Sequence, residues 1–241
     1  MRILVTNDDG VKARGLKILV EQALKFGEVI CVAPIEEQSG KSHSIIIKEP
    51  FVIKKYEDIV PGVKTYGIGS TPGDCVRIAH YYLKEQFDLV LSGINNGYNL
   101  GEDILYSGTI GAATEGILCG KKAIAFSTKV NHFDNLDLEV GKILKMIIEE
   151  KMLELHNFWN VNICDNPKGI KYTYQGCTNF DAYYEDVSND EVFSRGGPDL
   201  SQEKDRTGSD VCAIYNGYIS ISPLTEDRTN YNILNKVNNK L

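Results

Sequence analysis

Apolar positions recur along the first 150 residues in two alternating rhythms. Ile3-Leu4-Val5 is a continuous apolar run that reads as a buried strand. Leu16, Leu19, Val20, Ala23 and Leu24 then fall at i, i+3, i+4, i+7 and i+8, one face of a helix that closes near Gly27. Val29 to Ala33 predicts the next strand, stopped by Pro34, and Ile45 to Ile47, Phe51 to Tyr56 and Lys64 to Ile68 predict shorter ones. Thr71-Pro72-Gly73-Asp74 is a helix start, with Thr as cap and Pro at the first position. Its helix should bury Cys75, Ile78, Ala79 and Tyr82. Phe87 to Leu91 and Ala123 to Ser127 read as strands, a helix begins near Ile110, and Val140, Ile143, Leu144, Ile147 and Ile148 mark another. Near-continuous apolar strands separated by helices imply a parallel sheet covered on both faces, a Rossmann-like doubly wound α/β core over residues 1–150.

After Glu150 the rhythm changes. Phe158 to Cys164, Ile170 to Gln175 and Ala213 to Ser222 are strand-like, and Asn216-Gly217 predicts a two-residue hairpin turn. Ser188 to Ser209, rich in charge and glycine, predicts a mobile loop or arm, and the tail from Asn230 carries a few apolar residues at helical spacing. The expectation is one domain over 1–241, its second part (151–241) made of β-hairpins, an arm and a tail that pack on a neighbouring subunit.

Composition narrows the function. A formal net charge of −7 argues against a nucleic-acid polymer or an anionic membrane as partner, and no apolar run is long enough to span a bilayer. Six scattered cysteines form no C-x-x-C pair, and no signal-peptide core precedes the first strand; reduced thiols in a cytoplasmic protein are expected.

The chemistry gathers where strands end. In an open parallel sheet, ligands bind outside the carboxyl ends of the strands. Asp8 and Asp9 end the first strand, Gln38-Ser39-Gly40 follows the second, and Ser92-Gly93-Ile94-Asn95-Asn96-Gly97 follows the strand ending at Leu91. A lone Asp-Asp-Gly reads more readily as a capped turn. Three polar clusters on one rim favour a hard cation such as Mg²⁺, Mn²⁺ or Ca²⁺, held by oxygens and relieving the Asp8–Asp9 repulsion. Tyr106-Ser107-Gly108-Thr109 opens a helix with free N–H groups and hydroxyls, which suits phosphate, although an ordinary cap explains the same residues. Either aspartate could accept a proton from water. His43 lies in a rim loop and could assist a leaving group, but a hydrogen-bonded structural histidine is the plainer reading.

Three superficially similar motifs fail. Ser39-Gly40-Lys41-Ser42 has Ile35 where a P-loop needs its first glycine, Gly67-Ile68-Gly69 meets Pro72 where the dinucleotide fingerprint needs its third, and an aspartyl-phosphate nucleophile would fall on Asn7.

Taken in order, "ILVTNDDG", "VAPIEEQSG", "LSGINNGYNLGEDILYSGTIGAATEG" and "NGYISISPL" closely resemble the survival protein E (SurE) family of metal-dependent nucleotidases, most densely from Met1 to Gly116. The resemblance implies a phosphomonoesterase acting on nucleoside 5′-monophosphates, and on 3′-monophosphates too. It places one divalent cation per subunit, magnesium or manganese, on Asp8, Asp9, Ser39 and Asn95, and the phosphate on Ser107, Gly108 and Thr109, with Asn96 close by. It also implies dimers or tetramers that exchange C-terminal segments. "EVFSRGGPDLS" lacks the bulky aromatic run that similar proteins place before the paired glycines, so no base contact is carried over. The competing readings are a nucleotide or metal sensor without turnover, and a phosphatase or exopolyphosphatase for another phosphoester.

Overall fold

The computed structural model describes residues 1–57, 59–178, 183–188, 191–195 and 199–239. In chain order the elements are β1 (Arg2–Thr6), α1 (Arg14–Ala23), β2 (Glu28–Pro34), β3 (Ile53–Tyr56), β4 (Lys64–Ile68), α2 (Pro72–Arg77), β5 (Leu89–Asn96), α3 (Gly108–Leu118), β6 (Lys122–Thr128) and α4 (Leu136–Glu149). They continue with α5 (Met152–Leu155), β7 (Phe158–Ile163), β8 (Ile170–Tyr172), β9 (Tyr183–Ser188), β10 (Glu191–Arg195), α6 (Asp210–Tyr215), β11 (Ile219–Pro223) and α7 (Tyr231–Asn238). A π-helical turn, Ile78–Tyr82, extends α2, and 3₁₀ turns lie at Gly101–Leu105 and Leu200–Glu203.

Nine strands form one sheet in the order β3-β4-β2-β1-β5-β6-β7-β11-β8. From β4 to β7 every pairing is parallel. Two apolar clusters cover the two faces: Leu16, Leu19 and Val20 of α1 with Val140, Ile143 and Leu144 of α4 on one side, Cys75 and Val76 of α2 with Ala112 and Ala113 of α3 on the other. This is the doubly wound, mainly parallel α/β architecture that the apolar rhythm predicts. Helix α1 lies so close to β5 that a Cβ on Gly15 would stand 2.1 Å from the Ile94 carbonyl oxygen; only glycine permits that approach.

Three local expectations differ from the structure. Asn216-Gly217 closes a helix rather than a hairpin: Gly217, at φ +80°, donates to the Ile214 carbonyl and Tyr218 to that of Ala213. This is a Schellman closure of α6, and the left-handed glycine that serves a tight hairpin serves it equally well. β11 then joins the main sheet, antiparallel to β7 and parallel to β8. Ile45 to Ile47 forms no strand; the Ile46 amide donates to the Asp74 carboxylate at 2.8 Å, and no neighbouring strand takes it up. Part of Ser188 to Ser209 is regular, with β10 paired antiparallel to β9 and a 3₁₀ turn following. The tail forms α7. The Gly196-Gly197-Pro198 stretch, compared above with aromatic-rich relatives, lies outside the described residues.

Candidate metal and phosphate site

β1 lies between β2 and β5, parallel to both, with Val5 opposite Cys31 and Thr6 opposite Ser92. The carboxyl ends of all three strands therefore open on one rim. The chain leaves β1 through a turn in which the Asn7 carboxamide donates to the Gly10 carbonyl at 3.0 Å, and Gly10 takes φ +101°. Two hydrogen bonds tie the neighbouring strand ends to this turn. The Gln38 amide donates to the Asp8 carbonyl at 2.7 Å, and the Asn96 amide donates to the Asp9 carboxylate at 3.1 Å. Ser39 is thus one residue from a direct contact with Asp8, and Asn95 one residue from a contact with Asp9. Ser39 is exposed, its hydroxyl donating to Glu37 at 2.6 Å. Asn95 turns its amide nitrogen to the Gly97 carbonyl at 2.9 Å, which leaves its carboxamide oxygen as the available ligand atom.

The start of α3 completes the cluster. Ser107 is its N-cap, accepting from the Ile110 amide at 3.1 Å, as an ordinary cap does. Thr109 serves Asp8: its amide donates to Asp8 Oδ2 at 3.2 Å and its hydroxyl to Oδ1. Gly108 makes the approach possible, since a Cβ there would lie 3.0 Å from Asp8 Cβ and 3.1 Å from Oδ2. The first turn of α3, whose N–H groups and dipole favour an anion, therefore meets the carboxylate at the end of β1.

Burial and charge set the protonation of this pair. Burial, opposed by the Thr109 hydroxyl and aided by the Asp9 charge, pushes the Asp8 carboxyl up to about 6. Burial also raises Asp9, with the Asn96 amide pulling down and Glu37 adding repulsion. At the adjoining strand ends, the Asn7 Oδ1 and Ser92 Oγ atoms are buried without a hydrogen-bond partner among the described residues, Ser92 standing opposite Thr6. Two desolvated carboxylates, a hydroxyl, a carboxamide oxygen and unsatisfied buried oxygens fit a hard divalent cation, which would remove both the repulsion and the desolvation penalty. Among the described residues no three His, Cys, Asp or Glu side chains cluster as a metal site.

Two residues that the sequence did not single out shape the rim. Glu115 of α3, 3% exposed, binds His43 Nε2 at 2.7 Å and Arg77 at 3.1 Å. Burial acts to raise the Glu115 carboxyl, but His43 and Arg77 together outweigh it and hold it below its ordinary value. The hydroxyl and aromatic loop from Ser42 to Ser44 packs on α3 at Gly111, where a Cβ would lie 2.4 Å from the Ser42 carbonyl oxygen. His43 is accordingly a hydrogen-bonded histidine that fastens the loop after β2 to α3. Glu115 falls in an Ala- and Gly-rich helix whose own sequence gives no sign that a loop covers it.

The fold and rim define a doubly wound α/β protein with an oxygen-lined rim beside a helix N-terminus. The family model for survival protein SurE matches residues 3–182, and the chain belongs to that family. It is 40% identical to the 5′-nucleotidase SurE of Thermoanaerobacter sp. (strain X514) over 248 residues, covering 99% of this chain and 97% of that protein. It is 38% identical to the 5′-nucleotidase SurE of Clostridium botulinum (strain Eklund 17B / Type B), covering 98% of each. The crystal structure of the SurE protein from Aquifex aeolicus superposes with a TM-score of 0.82 at 33% identity, over 100% of this chain and 99% of that one. No helix among the described residues is long and apolar enough to cross a membrane.

Proposed function

We infer that this protein is a metal-dependent 5′-nucleotidase that hydrolyses nucleoside monophosphates to nucleoside and phosphate. The observation that supports the reading is the meeting of Asp8 with the first turn of α3, where a carboxylate suited to a cation adjoins a helix start suited to an anion. Asp8, Asp9, Ser39 and Asn95 would hold one divalent cation, magnesium or manganese. When bound, it supplies positive charge to the phosphoryl oxygens and acidifies water for attack on phosphorus.

The chain's own groups do the rest. The Ser107 hydroxyl and the Gly108 amide hold phosphoryl oxygens at the positive end of α3, and Asn96 adds a carboxamide from the exposed side. Thr109 bridges this turn to Asp8, so that phosphate and carboxylates keep one relative position. Asp9, less buried than Asp8, is placed to take the proton of the attacking water. Such catalysis is chiefly positioning and electrostatics, which a rigid sheet edge and helix start provide.

Helix α7 presents Ile233, Leu234 and Val237 to solvent with no residue of its own buried. That apolar face supports a homo-oligomer in which the C-terminal segment packs on a second subunit. Six free cysteines suit a reducing, cytoplasmic setting.

The test is release of inorganic phosphate from 5′-nucleoside monophosphates with Mn²⁺ or Mg²⁺ and after chelation. Release that chelator abolishes supports the nucleotidase. Tight nucleotide binding without release would instead make it a sensor.

A further inference from the structure

A cavity of about 370 Å³ opens beside the phosphate turn, with Ser107 in its wall. Its size falls within the roughly 300–1,000 Å³ typical of small-ligand sites. Ile104, Leu105 and Ile110 give it apolar sides, and Thr114 lies one helical turn below Ile110. Leu105 is 44% exposed, a large apolar side chain left open beside a polar rim. A second cavity of about 540 Å³ shares His43, Ile104, Leu105, Ile110, Thr114 and Arg228 with it and continues towards Phe158 and Leu224. Phosphate held at Ser107 would therefore direct its organic portion into a slot with apolar walls.

Among the described residues the wall of the smaller cavity holds one arginine, Arg228, and one titratable ring, His43, which is paired with Glu115. Arg228 is exposed and has no hydrogen bond or ion pair among the described residues. The chain that brings it there is anchored: the Leu224 amide donates to the Phe158 carbonyl at 3.0 Å, and the His156 ring meets the Leu224 carbonyl at 2.6 Å. Among the described residues neither Glu226 nor Asp227 forms an ion pair with Arg228. Asp227 is occupied by the Thr229 amide and the Tyr231 hydroxyl, and Glu226 and Asp227 border only the larger cavity. Glu115 is likewise taken up by His43 and Arg77.

Resting on the nucleotidase reading, we propose that this cavity is the nucleoside subsite and that Arg228 selects 6-oxopurine bases, guanine and hypoxanthine, over adenine. A guanidinium offers donors only, in a planar fork that matches adjacent acceptors. The O6 and N7 of a 6-oxopurine are such a pair, whereas adenine presents an N6 donor where O6 would be. Thr114 complements this selection: its hydroxyl donates to the Ile110 carbonyl at 2.8 Å, so its lone pairs are left to accept from the N1–H that a 6-oxopurine carries and adenine lacks. The isoleucine and leucine walls take the faces of the ring.

The test is kcat/KM for GMP, IMP, AMP and p-nitrophenyl phosphate with saturating Mn²⁺, for wild type, Arg228→Leu and Arg228→Lys. Wild type should prefer GMP and IMP to AMP by about tenfold, the usual order for one bidentate base contact. Arg228→Leu should lose that preference through KM, Arg228→Lys should recover part of it, and p-nitrophenyl phosphate, which has no base, should change less than about twofold. Equal wild-type rates on GMP and AMP would overturn the proposal, as would an Arg228→Leu loss of equal size on all four substrates. Both results leave the nucleotidase standing. Cleavage of p-nitrophenyl phosphate with none of any nucleotide would overturn the nucleotidase reading itself and the subsite with it.

Discussion

Thr109 gives both of its donors to Asp8, its amide to one carboxylate oxygen and its hydroxyl to the other. The end of the central strand and the start of α3 are thereby joined through a carboxylate that is 5% exposed. Thr109→Val keeps the shape and removes the hydroxyl donor. With less to stabilise its charge, Asp8 should bind a divalent cation about tenfold more weakly, one charge-assisted hydrogen bond being worth roughly 1.5–3 kcal/mol. Thr109→Ser should restore the affinity. Mn²⁺ titration calorimetry on the three proteins checks this, and equal affinities would refute it.

The same carboxylate predicts a pH dependence. Folding raises Asp8 from the ordinary 3.8 to about 6, burial being the main cause. Between those values the metal-free native chain holds more protons than the unfolded one, so its stability falls as pH rises through that window, by on the order of 3 kcal/mol. A cation competes with that proton. Mn²⁺ affinity should therefore be about tenfold weaker at pH 5 than at pH 7 and level above about 6.5. An affinity that does not change from pH 5 to 7 would contradict the assignment.

Gly108→Ala tests the closeness of the approach. The added methyl would stand 3.0 Å from Asp8 Cβ and 3.1 Å from Pro72 Cγ, so Asp8 must shift. Alanine favours helix by about 1 kcal/mol over glycine, so α3 itself should not suffer. The expected result is a normal far-UV circular dichroism spectrum with at least a tenfold loss of kcat/KM for phosphate release.

Glu115→Gln tests the fastening of the loop after β2. Its carboxylate lies below its ordinary value because His43 and Arg77 outweigh its burial, so its stabilisation is present at neutral pH and lost as pH falls through that lowered value. The substitution should cost about 2 kcal/mol at pH 7, and less in acid, measured by urea unfolding. A cost that is the same at pH 7 and pH 3.5 would count against it.

Much of this was legible in the chain. Strand ends, caps and glycine turns are local events, so the rim that gathers Asp8, Ser39 and Asn95–Asn96 follows from the order of apolar strands. Thr71 caps α2 by accepting from Asp74, as its spacing requires. What failed depended on distant partners. Asn216-Gly217 suits a hairpin and a helix end alike, and only the seating of β11 between β7 and β8 separates the two. Ile45 to Ile47 has strand composition but no strand to pair with. Glu115 and Arg228 gave no local signal, because a buried carboxylate and a cavity-facing cation arise from packing between segments far apart in sequence.

The central claim is that Asp8 carries the cation on which hydrolysis depends. The most direct measurement compares wild type and Asp8→Asn for Mn²⁺ binding by calorimetry and for phosphate release from 5′-nucleoside monophosphates, with folding confirmed by circular dichroism. The expected result is a folded variant in which metal binding and phosphate release fall together, release by at least a hundredfold. A folded Asp8→Asn protein that releases phosphate at the wild-type rate would contradict it.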